Sequence, residues 1–411
     1  MDACLRRWSS GSQFHVYVAQ ACNLRCSYCF NAQGAFGGPR RYMNLETAQA
    51  AARFIAAHTA PQAPFLNVRF FGGEPMLGRN AMAEIMRRLV ESGRPGLKVR
   101  FAIDTNGTLL DRKSLEYFDS LGCVQLNVSL DGSREATDAN RRGRQGAPTW
   151  DRVVRNVRRA QHCRVDLGVT AVLTRANCDA GRVIAELRGL GFHSLTLTPV
   201  WRSPLNPGTA AVEMDAEAEL RYVTSMAAAL REYFRELRQA MEQSRPPDYF
   251  LANAATVLES LQAPVATRPV RRCAGGALAI DCEGNLLPCA AMAHLPAFRI
   301  GHISTGIDSG AAERFFAARL SILEIEKCRR CWARLRCRGP CLQFVPPLAD
   351  LSALEPPEFY CHMRQRDIRL GLAVLRELER EHGPVFEPLI AYARGWFGTC
   401  GPISDSPRGS G

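Results

Sequence analysis

Six short runs between residues 14 and 200 are rich in β-branched and aromatic residues and alternate apolar with polar positions. They are FHVYVA (14–19), LNVRFF (66–71), KVRFAI (98–103), VQLNVSL (124–130), VDLGVTAVL (165–173) and SLTLTPV (194–200). Between them apolar residues recur at helical spacing, as in WDRVVRNVRRAQ (150–161) and LETAQAAARFIAAH (45–58), which Asn44 is placed to cap. Six strand–helix repeats predict an α/β fold with a parallel sheet, open or rolled into an incomplete barrel. Chemistry in such sheets gathers at the C-terminal ends of the strands. WRSPLNPGTAAV (201–212) reads as a linker and 216–243 as a long helix ending before Pro246-Pro247. The closing GPISDSPRGSG has no apolar periodicity and reads as a disordered tail.

Composition narrows the class. A chain of 411 residues accommodates two or three domains. No apolar run reaches the ~18 residues of a membrane span, and the N-terminus lacks a secretory h-region. A cytoplasmic protein is expected. The net charge of +12 rests on arginines that are scattered, not interleaved with aromatics. A solvated surface accounts for them, and nucleic acid is not the expected partner. Sixteen cysteines change the picture more, because a reducing compartment keeps thiols for metal or catalysis.

Three of them, Cys22, Cys26 and Cys29, form CNLRCSYCF directly after the first predicted strand. Thiolates suit zinc or iron–sulfur clusters. A closed zinc site wants four ligands, and no fourth Cys or His follows nearby. Three thiolates on a cubane leave one iron open to an outside ligand.

With the aromatic Tyr28 before its last cysteine, the CxxxCxxC pattern resembles the signature of the radical S-adenosylmethionine (SAM) superfamily. The resemblance implies a [4Fe-4S] cluster whose open iron binds SAM and cleaves it to a 5′-deoxyadenosyl radical. Further residues match in order, each after a predicted strand. Gly72-Gly73-Glu74-Pro75 is similar to the GGEP motif that meets the SAM amino group, and Asp104-Thr105-Asn106-Gly107 resembles the TNG turn. Ser129-Leu130-Asp131-Gly132 resembles the segment near the SAM ribose. Arg141, twelve residues beyond Ser129, stands where relatives pair an arginine with the methionyl carboxylate, with Arg142 as its neighbour. Relatives often read His-Asp just before it; this chain reads Thr137-Asp138.

Downstream, Cys273 and Cys289 flank Gly284 in C-x10-G-x4-C, Cys328, Cys331, Cys337 and Cys341 form CxxC-x5-C-x3-C, and Cys361 follows. LAIDCEGNLLPC around Gly284 predicts a β-hairpin. Two zinc ribbons would explain CxxC alone, but the full set resembles the SPASM domain of peptide-modifying radical SAM enzymes. That resemblance implies two auxiliary [4Fe-4S] clusters, three in all. Auxiliary I would take Cys273, Cys289 and Cys341; Auxiliary II would take Cys328, Cys331, Cys337 and Cys361. Some relatives close Auxiliary I from a position that is Thr267 here, so an open site is expected, with Cys282 the nearby spare thiol. Cys4, Cys123, Cys163, Cys178 and Cys400 are expected to be incidental thiols.

The expected organisation is a partial (β/α)6 radical SAM barrel at 13–205, a helical bridge at 206–265, a SPASM domain at 266–375, and a C-terminal helix and tail at 376–411. The implied reaction is hydrogen abstraction from a ribosomally made peptide, closing a thioether or carbon–carbon crosslink. A flavodoxin or ferredoxin would supply electrons. Only 21 residues precede Cys22, too few for a leader-gripping domain, so a separate leader-binding protein is a possible partner. The alternative is an anaerobic sulfatase maturase, whose relatives place an Asp base where this chain has Ala290; no other base is apparent. An alternative of another class is a non-catalytic metal-binding scaffold associated with nucleic acid.

Overall fold

The structure, a computed structural model, describes residues 12–203, 205–261, 277–293, 295–317, 325–337, 339 and 355–400. Its main sheet is built from β1 (Gln13–Gln20), β2 (Arg41–Tyr42), β3 (Phe65–Gly72), β4 (Lys98–Thr105), β5 (Val124–Ser129), β6 (Val165–Leu173), β7 (Ser194–Pro199), β8 (Phe250–Leu251), β9 (Leu278–Ile280) and β10 (Leu286–Leu287). The order is β10-β9-β1-β3-β4-β5-β6-β7-β8, with β2 antiparallel to the end of β1. Neighbours from β1 through β8 are parallel. The six predicted strands are thus β1 and β3 to β7, an α/β sheet with helical crossovers.

Those crossovers are α1 (Leu45–His58), α2 (Arg79–Glu91), α3 (Arg112–Leu121), α4 (Arg134–Asn140), α5 (Trp150–Ala160) and α6 (Ala180–Gly189). Local chemistry sets their starts. Asn44 accepts from Thr47 N at 2.7 Å, and Asp111, Ser133 and Asp179 cap α3, α4 and α6 in the same way. The helices cover one face of the sheet, where Val16, Val68, Phe70, Phe101, Ile103, Leu126 and Val128 are buried in a single core. Burial alternates along β5, so Gln125, Asn127 and Ser129 fall on the opposite face.

The opposite face is polar. Arg69 holds Asp104 by two bonds of 2.7 and 2.6 Å, and Asn127 bridges Asp104 (2.8 Å) to Thr170 (3.2 Å). This network ties β3, β4, β5 and β6 together across the floor below the strand ends.

Beyond the sheet lie α7 (Ala216–Glu242), α8 (Ala254–Ser260), α9 (Ser309–Ala317), α10 (Glu326–Arg329), α11 (Glu358–His382) and α12 (Phe386–Cys400), with a small ribbon of β11 (Gly301–His302) and β12 (Gly306–Ile307). The long helix α7 packs on α6, α11 and α12. The helix α11 runs across position 375. The predicted hairpin forms as β9–β10, and β9 lies parallel against β1, pairing Phe14 with Leu278 and Val16 with Ile280. No helix among the described residues is long and apolar enough to cross a membrane.

Candidate active site

The strand ends of β1, β3, β4 and β5 bring four of the predicted motifs together. The Cys22–Cys29 loop leaves β1 and docks on the α4–α5 connection, with Arg25 N bonded to Arg142 O (2.8 Å), Ser27 N to Asn140 O (2.9 Å), and a bridge between Leu24 and Gly143. The linker closes the other side. Asn206 donates to the carbonyls of Ser27 (3.2 Å) and Cys29 (3.0 Å), and Ser203 to that of Phe30 (2.7 Å). Nothing in the linker's composition marks those two residues in advance.

The thiols fit a cluster. Leu24 N and Gln33 N point at the sulfurs of Cys22 (3.3 Å) and Cys29 (3.2 Å), and Asn106 Nδ2 lies 3.8 Å from that of Cys22. Such donors tune thiolate ligands. Burial pushes the Cys22 thiol up to about 11 and that of Cys26 up to about 12, and Cys26 also feels Cys22 and Cys29. A bound cation is what makes three thiolates tenable there. Among the described residues no three Cys, His, Asp or Glu side chains gather tightly enough for a single metal ion, whereas a cubane spreads its thiolates over separate irons.

Glycine is obligatory where the motif turns meet. A Cβ on Gly73 would stand 2.3 Å from Ala21 O, and one on Gly34 would stand 2.3 Å from Gly73 Cα. Both are backbone contacts. Glu74 is fully buried, and its carboxylate accepts from Thr105 Oγ1 (2.7 Å), Asn106 N (2.6 Å) and Met76 N (3.0 Å). Burial pushes its pKa up to about 7 against the pull of those donors. Glu74 therefore locks the GGEP turn to the TNG turn, with Pro75 opening the short helical turn behind it. Gly107 completes the TNG turn at φ +75°, in the left-handed region.

The spacing favours Arg141 over its neighbour Arg142, and the structure sets the two apart. Arg141 is 6 % exposed, and Arg142 lies on the surface. Arg141 Nη1 donates to the Tyr28 hydroxyl (2.6 Å), which donates to Asp131 Oδ2 (2.5 Å). Asp131 Oδ1 accepts from Val172 N at 3.0 Å. Burial raises the pKa of Asp131 while Arg141 opposes it. Asp131 thus faces inward, and Ser129 lies on the polar face of β5.

Of the downstream cysteines, Cys289 follows β10 and stands close to Tyr17 of β1, whose hydroxyl donates to the neighbouring Ala290 carbonyl. Cys282, buried on the hairpin, donates to Tyr17 O at 3.2 Å. Cys361 on α11 lies within electrostatic reach of Cys331 and Cys337, and Cys328 is buried on α10. Cys273, Cys341, Thr267, Cys4 and the tail after residue 400 lie outside the described residues, as does the side chain of Cys400.

Residues 16–177 match the model of the radical SAM superfamily. A serine-type anaerobic sulfatase-maturating enzyme of Klebsiella pneumoniae is 23 % identical over 346 residues, covering 80 % of this chain and 81 % of that protein. A structure of anSMEcpe with bound AdoMet and Cp18Cys peptide superposes with a TM-score of 0.67 at 17 % identity, covering 93 % of this chain and 99 % of that one. Streptococcus suis SuiB bound to S-adenosylmethionine gives 0.59 at 16 % identity, covering 85 % and 77 %. The matched segment holds the cysteine loop and each strand-end motif through Arg141, and residues 16–177 of this chain form a radical SAM domain.

Proposed function

We propose that the enzyme is a peptide maturase that removes hydrogen from a peptide residue and closes a thioether or carbon–carbon crosslink. The observation that carries this reading is the continuity of the sheet. Cys289 follows β10, and β9 is paired to β1, the strand that leads into Cys22. A second cysteine region built into the same sheet suits an enzyme whose product step must shed an electron close to where the substrate is activated. The solved neighbours with bound peptides, anSMEcpe with Cp18Cys and SuiB with precursor peptide SuiA, support a peptide as substrate.

In this reading Cys22, Cys26 and Cys29 hold the first cluster. Cys273, Cys289 and Cys341 hold the first auxiliary one, and Cys328, Cys331, Cys337 and Cys361 the second. When bound, the first cluster and SAM supply the 5′-deoxyadenosyl radical. The protein's own part is positioning. Gly72 and Gly73 present backbone carbonyls to the SAM ammonium, Asn106 and Ser129 line the nucleoside, and Arg141 takes the carboxylate. Glu74, Pro75 and Asp131 keep those groups in place from behind.

A second reading, oxidation of a peptide Cys or Ser to formylglycine, is favoured by the extent of the match to sulfatase-maturating enzymes. Ala290 supplies no base for it, and its carbonyl is occupied by Tyr17. Mass spectrometry of a Cys-containing peptide after turnover separates the two. A crosslink removes two hydrogens and keeps sulfur; formylglycine replaces sulfur with oxygen. Loss of sulfur would overturn the crosslinking reading. The cluster assignment has its own test: replacing Cys22, Cys26 and Cys29 by Ala should abolish SAM cleavage and leave the iron of the auxiliary sites, and cleavage in that variant would refute it.

A further inference from the structure

Two arginine–aspartate pairs in this sheet differ in a way their charges alone do not explain. Arg69 and Asp104 close into a bidentate contact at 2.6 and 2.7 Å. Arg141 and Asp131 are far more buried and should attract more strongly, yet they stay 4.0 Å apart. The Tyr28 hydroxyl stands between them, accepting from Arg141 Nη1 and donating to Asp131 Oδ2.

Every member is fixed from outside the trio. Val172 N holds the other oxygen of Asp131. Thr149 Oγ1 binds the Arg141 carbonyl at 2.5 Å, and Arg141 N binds Thr137 O at 2.7 Å. Tyr28 sits inside the cysteine loop, next to Ser27, whose backbone is tied to Asn140. The Arg141 guanidinium makes no hydrogen bond among the described residues other than the one to Tyr28. A desolvated guanidinium that keeps donors in reserve is built for an anion.

We infer that the Tyr28 hydroxyl is a spacer that keeps the Arg141 fork off Asp131 and open to the carboxylate of bound SAM. This rests on the reading that Arg141 takes that carboxylate. Tyr28 is then a positioning residue. Removing its hydroxyl lets Arg141 swing onto Asp131 and form the closed pair seen at Arg69–Asp104. The bound carboxylate must then compete with a resident one.

The test uses the full chain with its clusters reconstituted without oxygen, and the probes are SAM and decarboxylated SAM. Iron content of each variant is read first. Tyr28→Phe should hold wild-type iron, bind SAM about 10- to 100-fold more weakly, and bind decarboxylated SAM within about threefold of wild type. Adding Asp131→Asn to Tyr28→Phe removes the competing anion and should recover most of the SAM affinity. Equal loss of both ligands, loss of iron, or no recovery in the double variant would each overturn the spacer role. Arg141→Ala separates the two levels. If it binds SAM like wild type, the carboxylate reading itself fails; if it binds weakly while Tyr28→Phe binds normally, only the spacer fails.

Discussion

Glu74 offers the sharpest quantitative test of how the site is held. Its carboxylate takes three donors, two of them backbone N–H groups, at 2.6–3.0 Å in a fully buried position. In Glu74→Gln one oxygen becomes an amide nitrogen. The remaining oxygen can keep Thr105 and Met76, which leaves the new NH2 facing Asn106 N–H, donor against donor. One charge-assisted bond is lost and a buried N–H is stranded, which together cost about 3 kcal/mol. Thr105→Val removes a single donor and should cost only about 1 kcal/mol. Urea unfolding of the cluster-free chains, followed by far-UV circular dichroism, reads both. The Gln variant should lose about 1 M in midpoint. It should also bind SAM more weakly once reconstituted, because the GGEP and TNG turns no longer share a brace. A Gln variant within about 0.5 kcal/mol of wild type would show that the carboxylate is not the tie described here.

Three further expectations follow from particular contacts. In Gly73→Ala the new methyl meets Ala21 O at 2.3 Å, so the cysteine loop must shift; iron content at Cys22, Cys26 and Cys29 should fall, and full iron retention would count against the close packing. Burial, helped by Arg69, holds the His15 imidazole down at about 4. The unfolded chain therefore takes up a proton that the folded chain refuses, so stability is complete above about pH 6.5 and declines as pH falls towards 4. Between about pH 7.5 and pH 5 wild type should lose about 2 kcal/mol more than His15→Gln, and parallel pH profiles would contradict this. Tyr17→Phe removes the donor to the Ala290 carbonyl. Cys289 in cluster-free protein should then alkylate about 2- to 10-fold faster by peptide mapping, with Cys163, which bonds to Arg159 O, unchanged as the internal control.

The strands and their chemistry were legible because each is local. Runs such as VQLNVSL and VDLGVTAVL declare themselves by side-chain type, and the structure returns them as β5 and β6 within a residue. The motif residues were legible because cluster and nucleotide chemistry demands fixed spacings. Long-range partners were not. Tyr28 was visible as an aromatic in a cysteine loop, but its hydroxyl's partners lie 103 and 113 positions away. Glu74 looked like a ligand contact because the motif points to one; only the fold shows three internal donors closing on it. The floor formed by Arg69, Asp104, Asn127 and Thr170 did leave a signal. Polar residues recur at alternate positions of these strands, as Asn67 and Arg69 in β3 and Gln125, Asn127 and Ser129 in β5, opposite a largely apolar side.

The pairing of β9 with β1 bears on how this protein can be taken apart. The inner edge of β1 belongs to β3, while its outer edge is shared, β9 covering Phe14 to Val16 and β2 covering Ala19 and Gln20. A fragment ending after α8 would leave the backbone of Phe14, His15 and Val16 open along a hydrophobic strand, the kind of edge that recruits other chains. Such a truncation should aggregate rather than yield a minimal radical enzyme. The C-terminal region is thus part of the sheet's closure, and it cannot be exchanged as a module without supplying a strand in its place.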